Sequence, residues 1–421
     1  MSVVDKLTQR SNTDNFLTAS SKTVKNTVST LFHPTTYSQY FHPASYALVD
    51  HLSPLILERD DLEERFRTNG SIHYYDQERE VEITPPLGDS HVSEIATRAG
   101  TATIAQPFVG TLRNVRLVGR CPVPVDRTNK LVLEAVVSPE VMALNMAHSA
   151  RNGLDEIRPT RPSTSSHSDP SGQDEIESAV LLYNQWNRGY FHWTVETLTR
   201  LEGVEAYRER TGEKPKLIVG PEPTRFQLES LALLGYDRDD LIEWDAHYGT
   251  VDRLIVPSVR RELNPGETSP VAHWWLHERM CEAADEKAAS ETTDVSNRVY
   301  ISREDADYRQ ILNEGEVLDV LESYGFEKYV LSDRSMAEDI SLFSQADVIV
   351  APHGAGLTNV LYSDNATVIE LFRSNYVQPV YYVLSSQLGL DYRYLLCDYE
   401  GTDITVDVDT LEEIVVDAIE Q

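Results

Sequence analysis

Residues 352–359 read Pro-His-Gly-Ala-Gly-Leu-Thr-Asn and separate two apolar runs, Val348 to Ala351 and Thr367 to Leu371. Gly354, Ala355 and Gly356 give a backbone free to approach a ligand, His353 can offer a diphosphate a hydrogen bond or a positive charge, and Thr358 and Asn359 open the helix that follows. A strand-to-helix turn that needs glycine for positive φ has the same composition, so the loop alone leaves both readings open. Glu370 closes the next apolar run, at the edge where α/β nucleotide sites hold ribose hydroxyls. Upstream, Arg303 lies just after the apolar run 299–301, past Ser302, and Arg309 lies close by. Two guanidinium groups beside a glycine-rich loop suit phosphate, which arginine binds bidentately, although Asp305 and Asp307 could equally pair with them.

A second constellation lies at His192 and Glu196. The i, i+4 spacing puts both side chains on one helix face, where a carboxylate can orient an imidazole and raise its basicity for deprotonating a hydroxyl. The alternative is a surface hydrogen bond beside a core Trp193. Other patterns carry less. Gly354 and Gly356 begin a dinucleotide fingerprint, but Asn359 stands at its third glycine and the motif comes late in the chain, which weakens a nucleotide-dependent oxidoreductase. His273 and His277 have metal spacing without the H-E-x-x-H glutamate or an evident third ligand, so no metal site is expected. Asp407-Val408-Asp409 is a D-x-D, uninformative among 68 acidic residues.

Alternating apolar runs and amphipathic segments are needed to position these groups, and they predict an α/β protein. Strands are expected at 108–120, 130–138, 178–186, 214–220, 241–245 and 251–258, with a helix from Phe191. A second series begins at 297, with helices over 314–325 and 336–346, and a helix, strand and helix in the tail. An acidic Ser/Pro-rich insert at about 158–177 has too few apolar residues to fold and reads as mobile. The expected organisation is an N-terminal extension over 1–80, an α/β domain over 81–258, a linker and connecting helix over 259–295, an α/β domain over 296–400 and a C-terminal helix over 401–421. The aromatic, proline-punctuated extension is read as a cap on a neighbouring domain rather than a membrane-resting segment.

Charge excludes some partners. With 68 Asp+Glu against 37 Lys+Arg the formal net charge is -31, which repels nucleic acid and anionic lipid and is tolerated chiefly where salt screens it. A halophilic cytoplasm, as in a haloarchaeon, explains it most simply. The three scattered cysteines fit a reducing compartment, and no run reaches the length of a membrane helix.

The chain over 298–398, including ISREDADYRQILNE, PHGAGLTN and YYVLSSQLGLDYRYLLC, resembles glycosyltransferase family 61, often labelled capsular polysaccharide biosynthesis. The block GYFHWTVETLTRL is similar to that family's first-domain signature: His192, Trp193, Glu196, Arg200 and Leu201 match, while Gly189 replaces the usual asparagine and Asn187 lies two residues earlier. The resemblance implies a GT-B fold, two Rossmann-like domains across a cleft, and inverting sugar transfer without a metal or other cofactor. It places Arg303, Arg309, His353, Gly354, Ala355, Gly356 and Asn359 against a nucleotide-sugar donor and Glu370 on its ribose. His192 and Glu196 fall on the acceptor side as the catalytic pair. The implied acceptor is a glycan or lipid-linked glycan precursor, in polysaccharide biosynthesis or protein glycosylation, reached in the cytoplasm with peripheral contact at the inner face of the membrane. A non-catalytic glycan-binding protein is the remaining alternative.

Overall fold

A computed structural model of the chain describes residues 53–87, 92–137, 141–142, 145–146, 175–259, 270–288 and 295–420. Residues 1–52 of the expected extension and 158–174 of the expected insert lie outside them. The insert's last residues, 176 and 177, already belong to a strand.

The first half builds a nine-stranded mixed sheet. Its strands are β1 (Ile56–Leu57), β2 (His73–Tyr74), β5 (Phe108–Val118), β6 (Val123–Val125), β7 (Leu131–Val132), β8 (Ile176–Leu181), β9 (Lys216–Val219), β10 (Leu241–Glu243) and β11 (Tyr248–Pro257), while β3 (Arg79–Ile83) and β4 (Gly100–Ile104) form a separate hairpin. Neighbours β11, β8, β9 and β10 are parallel, whereas β5 runs antiparallel to β11 and to β6. The expected strand at 130–138 shrinks to β7. At Leu133 the chain turns into a short 3₁₀ segment, whose Glu134 carboxylate accepts the Val259 N–H at 2.7 Å. The longer helices of this half are α1 (Arg59–Thr68), α2 (Leu201–Thr211) and α3 (Arg225–Leu233), the last opened by a reciprocal Thr224–Gln227 capping box.

The second half builds a six-stranded sheet in the order β13-β12-β14-β15-β16-β17. Its strands are β12 (Arg298–Ile301), β13 (Glu327–Tyr329), β14 (Val348–Pro352), β15 (Thr367–Arg373), β16 (Asp391–Glu400) and β17 (Asp403–Thr405). The first five in space are parallel and only β17 is antiparallel. Every residue of β14 is buried and all but the last of β15, as expected of parallel strands covered on both faces. The covering helices are α4 (Pro270–Ala288), α5 (Glu314–Ser323), α6 (Met336–Ser344), α7 (Val380–Gln387) and α8 (Val408–Ile419). Asp407 is the N-cap of α8, accepting the Thr410 N–H at 3.2 Å, so the D-x-D begins as a helix cap.

The two sheets do not stand apart. One buried apolar cluster runs from Val180, Trp193 and Leu201 through Leu276 and Met280 of α4 to Ile340, Ile349, Leu357 and Val368. His277 of α4 donates from Nδ1 to the Leu361 carbonyl at 2.9 Å and faces Asp364 at 3.3 Å. His273 is buried, which pushes its pKa down to about 3. Both histidines therefore have places in the packing of the connecting helix. No helix among the described residues is long and apolar enough to cross a membrane.

Candidate active site

The strand order places β12 beside both β13 and β14, and the chain leaves β12 toward one side and β14 toward the other. Such a reversal opens a crevice at the carboxyl ends of the two strands, the position where doubly wound sheets hold ligands. Arg303 lies two residues beyond the end of β12, and His353 follows β14 directly.

Gly354 is extended, with φ of 175°, so the turn does not require a glycine there. Close approach does: a Cβ at this position would lie 2.1 Å from Arg303 Nη1. Gly356 also lies outside the positive-φ set. After Gly354 the chain forms a 3₁₀ run, Ala355–Tyr362, in place of the expected α-turns, and Ala355 is the exposed tip. Gly354→Ala is expected to leave the melting temperature nearly unchanged, because the flexible guanidinium can move aside. The displaced Arg303 should nevertheless raise the Kd for a nucleoside diphosphate about tenfold, a loss of the size of one charge-assisted hydrogen bond. Calorimetry beside a thermal melt measures both.

The arginines converge on the loop. Arg309 Nη1 donates to the His353 carbonyl at 3.1 Å, and Arg303 Nη2 donates to the Tyr308 carbonyl at 3.2 Å. Arg309 has φ of 61°, an uncommon conformation for a residue with a side chain. Neither arginine forms a salt bridge with Asp305 or Asp307 among the described residues. Burial, and then the positive charge of Arg309, hold the Arg303 pKa below its ordinary value. A cation held partly buried without a carboxylate salt bridge is suited to an anion.

Glu370 differs from its expected place. It has no exposed surface, and both carboxylate oxygens are taken: Oε1 by His353 Nδ1 and Oε2 by the Tyr392 hydroxyl at 2.6 Å. A ribose contact at Glu370 would therefore have to displace His353 or Tyr392 from one of these oxygens. Asn359 is also buried, at 1% exposure. Its Oδ1 accepts the Tyr190 hydroxyl at 2.5 Å and its Nδ2 donates to the Gly356 carbonyl at 3.2 Å. Its visible task is to fasten the loop to the first half of the chain.

Across that contact the chain at His192–Thr197 forms a π-turn rather than an α-helix, a wider coil often found at functional sites. His192 Nδ1 meets Glu196 Oε2 at 3.0 Å. An ionised carboxylate only accepts, so His192 donates from Nδ1, and in the neutral ring this tautomer makes Nε2 the acceptor. His192 is one-third exposed and Glu196 nearly buried. The Trp186 ring lies tilted against the His192 ring, with centroids 4.5 Å apart.

The two histidines are joined by rings. Phe191 meets His192 edge-on at 5.4 Å and Tyr381 at 5.7 Å, and Tyr381 lies 5.5 Å from His353, which stacks on Phe372 at 5.2 Å. A histidine–carboxylate pair from the first half thus lies on the same aromatic bridge as the arginine-flanked loop of the second. Phe191, Tyr190 and Tyr381 were not singled out from the sequence. Their aromatic character was legible there, but not their partners.

Comparison with known proteins bears on the same stretch. Residues 190–369 match the family model for glycosyltransferase 61, a span that holds His192, Glu196, both arginines and the glycine loop. The matched span begins one residue after Gly189 and ends one residue before Glu370. A β-1,2-xylosyltransferase of Arabidopsis thaliana is similar to the chain, 27% identical over 150 residues, covering 30% of this chain and 28% of that protein. The chain thus spans less than a third of that relative's length.

Proposed function

We propose that the chain is an inverting glycosyltransferase that moves a sugar from a nucleotide-sugar donor to a hydroxyl of a glycan or lipid-linked glycan precursor. The observation that carries this reading is the aromatic bridge joining His192–Glu196 to the loop held by Arg303 and Arg309, inside a family 61 domain. One side supplies a base and the other a cradle for a leaving diphosphate, and a two-substrate displacement needs both.

In this mechanism the donor diphosphate rests on Arg303, Arg309 and the backbone of His353 to Gly356. His192 Nε2 takes the proton of the acceptor hydroxyl, whose oxygen attacks the anomeric carbon opposite the departing diphosphate. Glu196 orients the ring and offsets the charge that the imidazole acquires. Negative charge building on the leaving oxygen is stabilised by guanidinium groups already fixed in place, which avoids reorganisation during the reaction. Glu370, held by Tyr392, fixes the His353 ring through Nδ1. We assign it this orienting task in place of ribose binding.

The same reading takes the two sheets as the halves of a GT-B arrangement, 81–258 on the acceptor side and 296–400 on the donor side, joined through 259–295. Arginines at the cradle supply the positive charge that a divalent cation supplies elsewhere, so transfer is proposed to be metal-independent. Two measurements test the whole proposal together. A thermal-shift screen over nucleoside diphosphates and nucleotide sugars should raise the melting temperature for at least one nucleotide, by mass action, with NAD(H) giving no shift. Transfer from the matching labelled sugar nucleotide should persist in EDTA. Stabilisation by NAD(H) alone, or activity abolished by EDTA and restored by Mn²⁺, would count against it.

A further inference from the structure

Tyr308 stands between the two arginines of the cradle, and its ring is turned outward. It is 49% exposed, although large aromatic side chains are usually mostly buried. The Arg303 guanidinium carbon lies 5.6 Å from its ring centroid and that of Arg309 5.1 Å. The backbone carbonyl of the same residue accepts Arg303 Nη2 at 3.2 Å, and the residue after it, Arg309, takes the left-handed backbone conformation. Two like charges are therefore gathered around one aromatic ring in a strongly acidic protein, with no carboxylate salt bridge to either.

We propose that Tyr308 is a positioning residue for the diphosphate cradle, its ring holding the Arg303 and Arg309 guanidinium groups in the donor-binding arrangement before the donor arrives. The negative face of an aromatic ring attracts a cation without neutralising it. A carboxylate in the same place would compete with phosphate for the arginine N–H groups, whereas a π face leaves those in-plane donors available. An aromatic ring therefore counters repulsion between the two cations while keeping both competent to bind an anion. The inference rests on the donor-site reading above and adds the device that prepares that site.

The test compares Tyr308→Leu with Tyr308→Phe on the full chain, using UDP, GDP and inorganic pyrophosphate, each titrated alone by calorimetry. Loss of the ring should raise the Kd about tenfold, as expected for two partly exposed cation–π contacts, equally for the nucleotide and for pyrophosphate. Tyr308→Phe should restore native affinity, because the π face and not the hydroxyl is at work. Melting temperatures should stay together, since the side chain is half exposed. In an Arg309→Ala background the Tyr308→Leu loss should shrink, a coupling that a merely structural role would not produce.

Native-like affinity in Tyr308→Leu, or a loss confined to UDP or GDP with pyrophosphate unaffected, would overturn the proposal, the second result pointing to stacking on the base instead. If the native chain binds none of the three probes, the donor-site reading fails first and this inference falls with it.

Discussion

His192→Ala is expected to lower turnover by roughly 10²–10⁴-fold, the range for removing a positioned general base, while nucleoside diphosphate affinity stays at its native value. The split follows from geometry. His192 pairs with Glu196 at 3.0 Å and meets the donor loop only through Phe191 and Tyr381, so its removal leaves the arginine cradle intact. Glu196→Gln should cost less than His192→Ala: an amide can still accept from Nδ1 but cannot offset the charge of the protonated ring. Steady-state rates beside calorimetry distinguish the possibilities. Full activity in both variants would place the base elsewhere, and a parallel loss of donor affinity would mean that the pair supports the fold of the loop.

Arg303→Ala carries the second large effect, on the opposite side of the reaction. Its guanidinium lies against the Gly354 backbone, partly buried, with Nε lacking any hydrogen-bond partner. Hydrogen bonds to charged groups contribute roughly 1.5–3 kcal/mol, so the Kd for a nucleoside diphosphate should rise by roughly one to two orders of magnitude. Arg303→Lys should recover only part of this, because an ammonium cannot reproduce the planar fork. The folded state should not suffer, since Arg309 no longer faces a second positive charge. Unchanged donor affinity in Arg303→Ala would remove the central cation from the cradle. Together the two substitutions separate base from leaving-group site, and a shared active site requires that separation.

Much of the frame is legible from local pattern. The apolar runs of β12, β14 and β15 announce buried parallel strands, and the helix expected over 336–346 forms as α6. The i, i+4 spacing of His192 and Glu196 does bring them together, although on a π-turn. In the first half the pattern misleads at 130–138, because apolar residues signal burial more directly than they signal conformation. A 3₁₀ segment buries Ala135 and Val136 as well as a strand would.

The sequence by itself determined which groups are available: a histidine with a carboxylate four residues on, a histidine and glycine loop after a strand, two arginines upstream, and a charge of -31 that turns away other polyanions. Tertiary structure decided their partners. Asn359 could face a ligand or a neighbour, and only packing of the two halves hands it to Tyr190, 169 residues away. Glu370 at a strand end could bind a ribose, and only the register of β15 between β14 and β16 sets it between His353 and Tyr392. Periodicity tells which face a side chain occupies; what that face meets depends on contacts between distant segments, which no local window contains.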